Sequence, residues 1–338
     1  MAKSAITIKD VAREANVSVA TVSRALNGHA NVAGPVRQVV LEVARRLRYT
    51  PHAAARSLSS RSTQTLGLLL PDLHGEFFSE LMRGIDGVAR VHRRHLLVSS
   101  YHGDPQQQAA ALQAMRGRVD GLLLMSPYAA DPGFLLDNLP PALPTVLINT
   151  PLPDAGQPLF GIDDHLGALL MTRHLLQAGY RRIAFIAGPD NNHDACERLR
   201  GFRDGMDEAG CEGLVLPGGF DEASGHQAGQ ALLQAGPLPD AVFAANDMMA
   251  LGCLYALNQA GVRVPEQVAL AGFDDIPLAR FVHPPLTTMR ASIAELGERA
   301  TLHLLHMIDA DGSTGHAAGM TLAPMLVVRD STPQRESS

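Results

Sequence analysis

Apolar residues along the first fifty positions recur every third or fourth residue in three short runs. In the first, TIKDVAREANVS, the residues Ile8, Val11, Ala12 and Ala15 share one helical face. Thr7 can cap that helix, and Asp10 stands at its third position, the arrangement of a capping box. Asn16 tolerates the left-handed backbone of a tight turn. Ser18 then caps a second helix with Val22, Ala25 and Leu26 inward, closed by Asn27-Gly28. Pro35 opens a third, in which Val36, Val39, Val40, Val43, Ala44 and Leu47 keep the helical spacing over three turns. Two short helices joined by a tight turn and braced by a third predict a helix-turn-helix unit over residues 1–50. On periodicity alone a generic three-helix bundle remains open. The small residues that begin the second helix (Ser18, Val19, Ala20, Thr21) would let its end enter a major groove.

From Leu66 onward the pattern changes to short, continuously apolar runs alternating with helical stretches. LGLLL, HLLVSS, VDGLLLM, PTVLIN, RIAFIAG, DAVFAA and VALAGF each precede a helix-like segment. Such runs predict parallel strands covered on both faces, and some 270 residues of them predict two lobes over residues 64–330. Ligands of such sheets bind beyond the carboxyl ends of the strands. Those ends carry Pro71, Asp72, Phe77 and Phe78, then Asn149, then Asn191, Asn192, Asp194 and Arg198. Phe220, Asn246-Asp247 and Asp274-Asp275 follow later runs. Rings with carboxylate, amide and guanidinium groups suit a neutral polyol, whose hydroxyls take paired hydrogen bonds while its C–H face takes a ring. Taken singly, each is equally a cap or loop residue, as Asp247 would be at the start of its helix.

Composition narrows the class. Of 338 residues 46% are apolar, 18% charged and 4% aromatic, a globular profile. No stretch has the length and apolarity of a membrane span, and the charged N-terminus lacks a signal peptide's apolar core; a cytoplasmic protein is expected. Cys196, Cys211 and Cys253 lack metal-ligand spacing. The charge is split: residues 1–61 carry ten basic and three acidic side chains, the remainder eighteen and thirty-one, a net of +7 against −13. A basic head on an acidic body fits a polyanion-binding module joined to one that is not.

The run IKDVAREANVSVATVSRALN, followed by YTPHAAARSLSS, resembles the DNA-binding head of the lactose-repressor (LacI/GalR) family of bacterial transcription regulators. The resemblance implies that Val19, Ala20 and Arg24 read bases. Val19 and Ala20 can offer only apolar contact, as to a thymine methyl, and Arg24 a bidentate bond to guanine. It implies that Thr7, Ser18, Thr21, Ser23 and Asn27 hold phosphates. The match weakens at Ala33–Val36. Thr50-Pro51 would start a helix too short to stand alone in water. The family's pattern makes residues 51–63 a hinge, with Ala55 at a helix–helix contact and Leu58 as a minor-groove wedge. A plain serine-rich linker fits the same composition. The body's IAGP, ERLRGF, ANDMMALG and GFDD match the family's effector domain, which is similar to periplasmic sugar-binding proteins. Matched to it, the effector site comprises Phe77, Phe78, Asn149, Asn192, Asp194, Arg198, Phe220, Asn246, Asp274 and Asp275. Asn192 stands where the purine-binding member has an arginine, which favours a sugar or sugar derivative over a purine. Asn149 replaces an aspartate of some sugar-binding relatives.

The sequence contains no G-x-G-x-x-G, Walker A or G-x-S-x-G motif, and its lysines are Lys3 and Lys9 alone. His92–His95 and His303–His306 could pair on helix faces but lack further ligands, so no cofactor, metal or catalytic group is expected. The expectation is an all-α helix-turn-helix head plus an α/β periplasmic-binding-protein-like body of two parallel-sheet lobes. It would act as a homodimer on a pseudo-palindromic double-stranded operator, as a repressor of sugar-utilisation genes switched by a small molecule between the lobes. Control by a protein co-repressor, or a carbohydrate-binding protein or enzyme on the same fold, are the alternatives. Residues 331–338, STPQRESS, read as a disordered tail without the leucine heptads of a tetramer.

Overall fold

The computed structural model describes residues 6–26, 31–49, 62–128, 132–140, 142–152, 156–310 and 319–335. Contacts divide the chain into two units, residues 1–63 and 64–338. Of the expected hinge over residues 51–63, residues 51–61, with Ala55 and Leu58, lie outside the described residues, as does Asn27.

The head consists of α1 (Ile8–Glu14), α2 (Val19–Leu26) and α3 (Gly34–Arg46). Asp10 closes the start of α1 by accepting from the Thr7 amide at 2.9 Å and its hydroxyl at 2.7 Å. These bonds hold the Asp10 carboxyl below its usual range. Asn16 makes the turn at φ 52°, and Ser18 Oγ caps α2 by accepting from the Thr21 amide at 3.1 Å. Val11, Ala12, Val22, Ala25, Val40, Val43 and Ala44 form the core. Val39, expected on the buried stripe, is 48% exposed, so α3 buries a narrower face than its pattern suggests.

In the body, lobe 1 is a six-stranded sheet ordered β11-β5-β4-β3-β1-β2. Its strands are β1 (Thr65–Leu70), β2 (His95–Ser100), β3 (Gly121–Met125), β4 (Thr145–Ile148), β5 (Leu159–Ile162) and β11 (Met320–Leu322). All its pairings are parallel. Helices α4 (Glu76–Val91), α5 (Pro105–Met115), α6 (Pro132–Asn138) and α11 (Ile293–Asp309) belong to this lobe. Lobe 2 is ordered β12-β10-β9-β8-β6-β7. It comprises β6 (Ile183–Ile186), β7 (Leu214–Leu216), β8 (Ala241–Ala244), β9 (Ala269–Asp274), β10 (Thr287–Arg290) and β12 (Met325–Val327). Its helices are α7 (Asp164–Gln177), α8 (His193–Glu208), α9 (Glu222–Gln234) and α10 (Asp247–Gln259). The β10–β12 pair is antiparallel, a departure from the all-parallel expectation at one edge. The chain passes between the lobes at Asp163, at Ser292 and at Ala323-Pro324.

Close helix packing aligns the cavity end of lobe 2. A Cβ on Gly225 would lie 2.1 Å from Met249 O, and one on Gly252 2.0 Å from Glu222 O. Only glycine lets α9 and α10 approach so far that their N-terminal caps, Asp221 and Asn246, stand together at the mouth of the cleft.

The tail expected to be disordered from residue 331 is ordered through residue 335. Ser331 Oγ donates to Leu270 O at 2.5 Å and accepts from the Thr287 amide at 2.8 Å. The Tyr180 hydroxyl donates to Pro333 O at 2.6 Å, and the Arg335 amide to Ala178 O at 2.9 Å. Hydroxyls and backbone groups hold this strap, so an apolar pattern does not register it.

Candidate functional site

Two surfaces bring the singled-out residues together, one in each unit. In the head, burial of Val22 and Ala25 turns the opposite side of α2 outward. Ser18, Val19, Ala20 and Arg24 are exposed there, with Thr21 and Ser23 half-buried beside them. Val19 is 40% exposed although it is a large apolar residue beside an apolar core. The Arg24 Nε donates to Ala20 O at 3.2 Å, which lays the side chain along the helix. Thr7 is exposed at the start of α1. The result is a shallow face of small groups with one guanidinium, beginning at a helix N-terminus whose amides favour phosphate oxygens.

In the body, the carboxyl ends of both sheets face a cavity of about 520 Å³. Lobe 1 contributes Phe77 and Phe78 from the first turn of α4, with Asp72, His102 and Tyr128 from strand-end loops. The two phenyl rings meet edge-on at 5.5 Å. Lobe 2 contributes Asn192, Asp194 and Arg198 around α8, Phe220 and Asp221, Asn246 and Asp274. Asp194 and Arg198 lie one helical turn apart and so share a face. Asn192 and Asn246 cap their helices, accepting from the Ala195 and Met249 amides at 3.0 and 2.9 Å. The Asn246 Nδ2 also donates to Phe220 O at 2.9 Å, holding a residue at φ 68°. The Phe220 ring sits against Gly188 of the IAGP motif, where a Cβ would lie 2.5 Å from the ring.

Arg198 is the centre of the site and is 3% exposed. Its Nε donates to Asp164 Oδ1 at 2.7 Å and its Nη1 to Ala245 O at 2.6 Å. Nη1 also lies 3.3 Å from Asp274 Oδ1, an ion pair without hydrogen-bond alignment that leaves this buried oxygen unpartnered. The guanidinium covers the Phe273 ring at 3.9 Å. Burial opposes its charge, but Asp164, Asp274 and Asp194 outweigh that and keep it protonated. The carboxyls respond oppositely. Burial pushes Asp194 well above the usual range, and the neighbouring Asp164 charge adds to this. Burial raises Asp274 to about 7, with Arg198 opposing. Three buried carboxyls around one guanidinium cannot all carry charge cheaply.

Among the described residues, two hydrogen bonds bridge the lobes across the cleft. Asn149 Nδ2, at the end of β4, donates to Asp194 Oδ2 at 3.0 Å, and the His193 amide donates to Pro127 O at 2.9 Å. Asn149 thus reaches the site through Asp194 and does not line the cavity. Asp275 requires a correction. It lies outside the cavity, its carboxylate held by Arg290 Nε at 2.7 Å and Arg329 Nη2 at 2.5 Å. Successive residues at a strand end point to opposite sides, so Asp274 and Asp275 part. Asp247 is structural, accepting from the Thr288 hydroxyl at 2.6 Å and the Ile276 amide at 2.9 Å. Sequence reasoning missed Asp164, His102, Tyr128 and Asp221. The caps at Asp163 and Asp221 carried a local signal, whereas Asp164 lies 34 positions from the arginine it holds. Among the described residues no cluster of His, Cys, Asp or Glu is placed to hold a metal, and no helix is long and apolar enough to cross a membrane.

Comparison with known proteins bears on both surfaces. Residues 7–52 match the family described as bacterial regulatory proteins, lacI family, and residues 172–332 a periplasmic binding protein-like domain. The chain is 37% identical to the ribose operon repressor of Escherichia coli (strain K12), over 96% of this chain and 99% of that one. A lac repressor dimer bound to operator and the anti-inducer ONPF superimposes with a TM-score of 0.85 at 26% identity, covering 98% of this chain and 100% of that one. A complex of the transcriptional regulator CelR with cellobiose gives a TM-score of 0.71 at 30% identity, covering 96% and 99%. With a DNA-reading head, a two-lobed body and a relative this similar along nearly its whole length, the chain belongs to the lacI family of bacterial regulatory proteins.

Proposed function

We propose that this protein is an effector-controlled repressor of sugar-utilisation genes, binding a pseudo-palindromic operator as a homodimer. One observation carries the reading: a single chain joins the exposed Val19–Arg24 face of α2 to an interlobe cavity organised on buried Arg198. Val19 and Ala20 contact thymine methyls, Arg24 pairs with guanine, and Thr7, Ser18, Thr21 and Ser23 fix the register through phosphates. In the cavity, Arg198 Nη2, Asp194 and Asp274 hold hydroxyls while Phe77, Phe78 and Phe220 cover the sugar's C–H faces.

The switch rests on differential affinity. A ligand touching both lobes favours the closed arrangement that the Asn149–Asp194 and His193–Pro127 bonds already bridge. Residues 51–63 connect that arrangement to the head, and their sequence is too short to sustain a helix alone. The lobes therefore bias whether two hinges can pair at the operator centre and set the Leu58 wedge. The role is regulatory: the buried carboxyls bind and orient rather than catalyse.

The test is selection of duplexes from a random pool, followed by anisotropy titration of the full chain against a sugar panel. The expected result is a palindromic site whose affinity changes at least about tenfold with one sugar, a coupling of ordinary allosteric size. Non-palindromic sites would contradict the dimer. Intact operator binding indifferent to every sugar would favour the protein co-repressor.

A further inference from the structure

The cavity's charge sets which polyhydroxy compounds it can accept. Among the described residues, five carboxyl groups line it: Asp72, Glu76, Asp194, Asp221 and Asp274. Among the described lining residues, Arg198 is the one side chain with a permanent positive charge. That charge is already balanced within the fold by Asp164 at 2.7 Å and Asp274 at 3.3 Å. Even with one of the buried carboxyls protonated, the walls remain net negative.

The features that would draw an anion are answered in place. Helix N-termini are natural phosphate sites, and α8, α9 and α10 all start at this cavity. In each, the cap side chain already occupies the third amide of the first turn: Asn192 accepts from Ala195, Asp221 from Ser224 and Asn246 from Met249. The fourth helix, α4, starts after Gly75 without a side-chain cap, but its first residue is Glu76, so the first turn carries its own negative charge at the cavity wall. His74 and His102 flank this end, and Asp72 stands beside them. The deep end instead offers acceptors, the unpartnered Asp274 Oδ1 and the Asp194 carboxyl, which call for hydroxyl donors.

We infer that this cavity excludes anions, so that its effector is an unphosphorylated, uncharged polyhydroxy compound, and a phosphate ester or sugar acid of the same skeleton is rejected. The inference rests on the sugar-controlled reading above and sharpens it. Glu76 and Asp72 are its specificity determinants. They act on the charge of the ligand rather than on the pattern of its hydroxyls.

The experiment uses the full chain in calorimetric and thermal-shift titrations against neutral aldoses, ketoses and disaccharides, each paired with its phosphate ester, and against inorganic phosphate. The expected result is one neutral sugar that binds, its ester at least about tenfold weaker, the size that like charge at close range can impose, and no stabilisation by phosphate. In Glu76→Gln the gap between that sugar and its ester should shrink several-fold. An ester that binds as well as its parent sugar, or a gap unmoved by Glu76→Gln, overturns anion exclusion and leaves sugar control standing. A panel in which neither sugars nor esters bind overturns both.

Discussion

The reading face of the head and the cavity of the body both recognise polar partners, but they hold their polar groups in opposite ways. On α2, Ser18, Ala20 and Arg24 stand in solvent, and Arg24 bonds back to its own helix. In the body, Arg198 is 3% exposed and fixed by Asp164 and the Ala245 carbonyl before any ligand arrives. A solvated face gains affinity by displacing counterions, and each group adds a modest, separable amount. A buried, prearranged site draws on low-dielectric electrostatics, in which removing one member strands the others. The head can therefore vary its sequence preference without endangering its fold, while the cavity's chemistry and the stability of lobe 2 are one problem.

The largest effect that separates the two is salt. If about 6–10 phosphates are neutralised, operator affinity should fall roughly 10³–10⁵-fold between 50 and 200 mM salt. Effector affinity, set in a buried site, should change little over that range; filter binding and calorimetry read the two. A flat operator response would remove the basic head from the account. Next comes Arg198→Ala, which leaves three buried carboxyls without a counter-charge. It should cost about 3–5 kcal/mol of stability by denaturant melting and abolish effector binding. Arg24→Ala should instead cost about 1–3 kcal/mol of operator affinity, with preference relaxed at one base pair, while Tm stays put. A Tm drop there as large as for Arg198→Ala would erase the contrast.

A further difference lies in the pH profile of stability. Asp274 releases its proton at about 7 in the fold and at 3.8 ordinarily, because burial penalises the charge. Between those values the folded protein keeps a proton that the unfolded chain has lost. This contribution is full below about pH 4 and is lost as pH rises through about 7. Asp240 runs the other way. Burial opposes its charge, but the amides of Arg182 and Arg181 and the Arg182 guanidinium outweigh that and lower it to about 2. Its contribution is present above 3.8 and fades as pH falls toward 2. Asp274→Asn should flatten the slope between pH 4 and 7 and leave the acid limb, and a slope unchanged by this variant would show that Asp274 does not titrate there.

The same contrast explains what the chain's sequence disclosed. The head was legible because its devices are local: the Thr7–Asp10 bonds, the Asn16 turn and the Ser18 cap each span three residues or fewer. The long apolar strands were equally plain. The strands β5, β10, β11 and β12 were not, since LFGI, TTMR, MTL and MLV are short and make no extended apolar run. In the cavity, Asp194 and Arg198 announce themselves by helical spacing, but Asp164 comes from another helix and only the folded topology brings it to Arg198. The paired Asp274 and Asp275 look alike in sequence and part at the strand end, one into the cavity and one to Arg290 and Arg329. The strap at residues 331–335 depends on hydroxyls and carbonyls supplied by distant strands.

The central claim is that a small molecule on Arg198 and the grip of α2 on DNA share one free energy. The most direct measurement takes the full chain and the neutral sugar it binds. It compares operator Kd with and without saturating sugar, and sugar Kd with and without saturating operator. The account predicts the same factor in both directions, at least about tenfold, as linkage requires. Two ligands that each bind well and leave the other's Kd unchanged would contradict it.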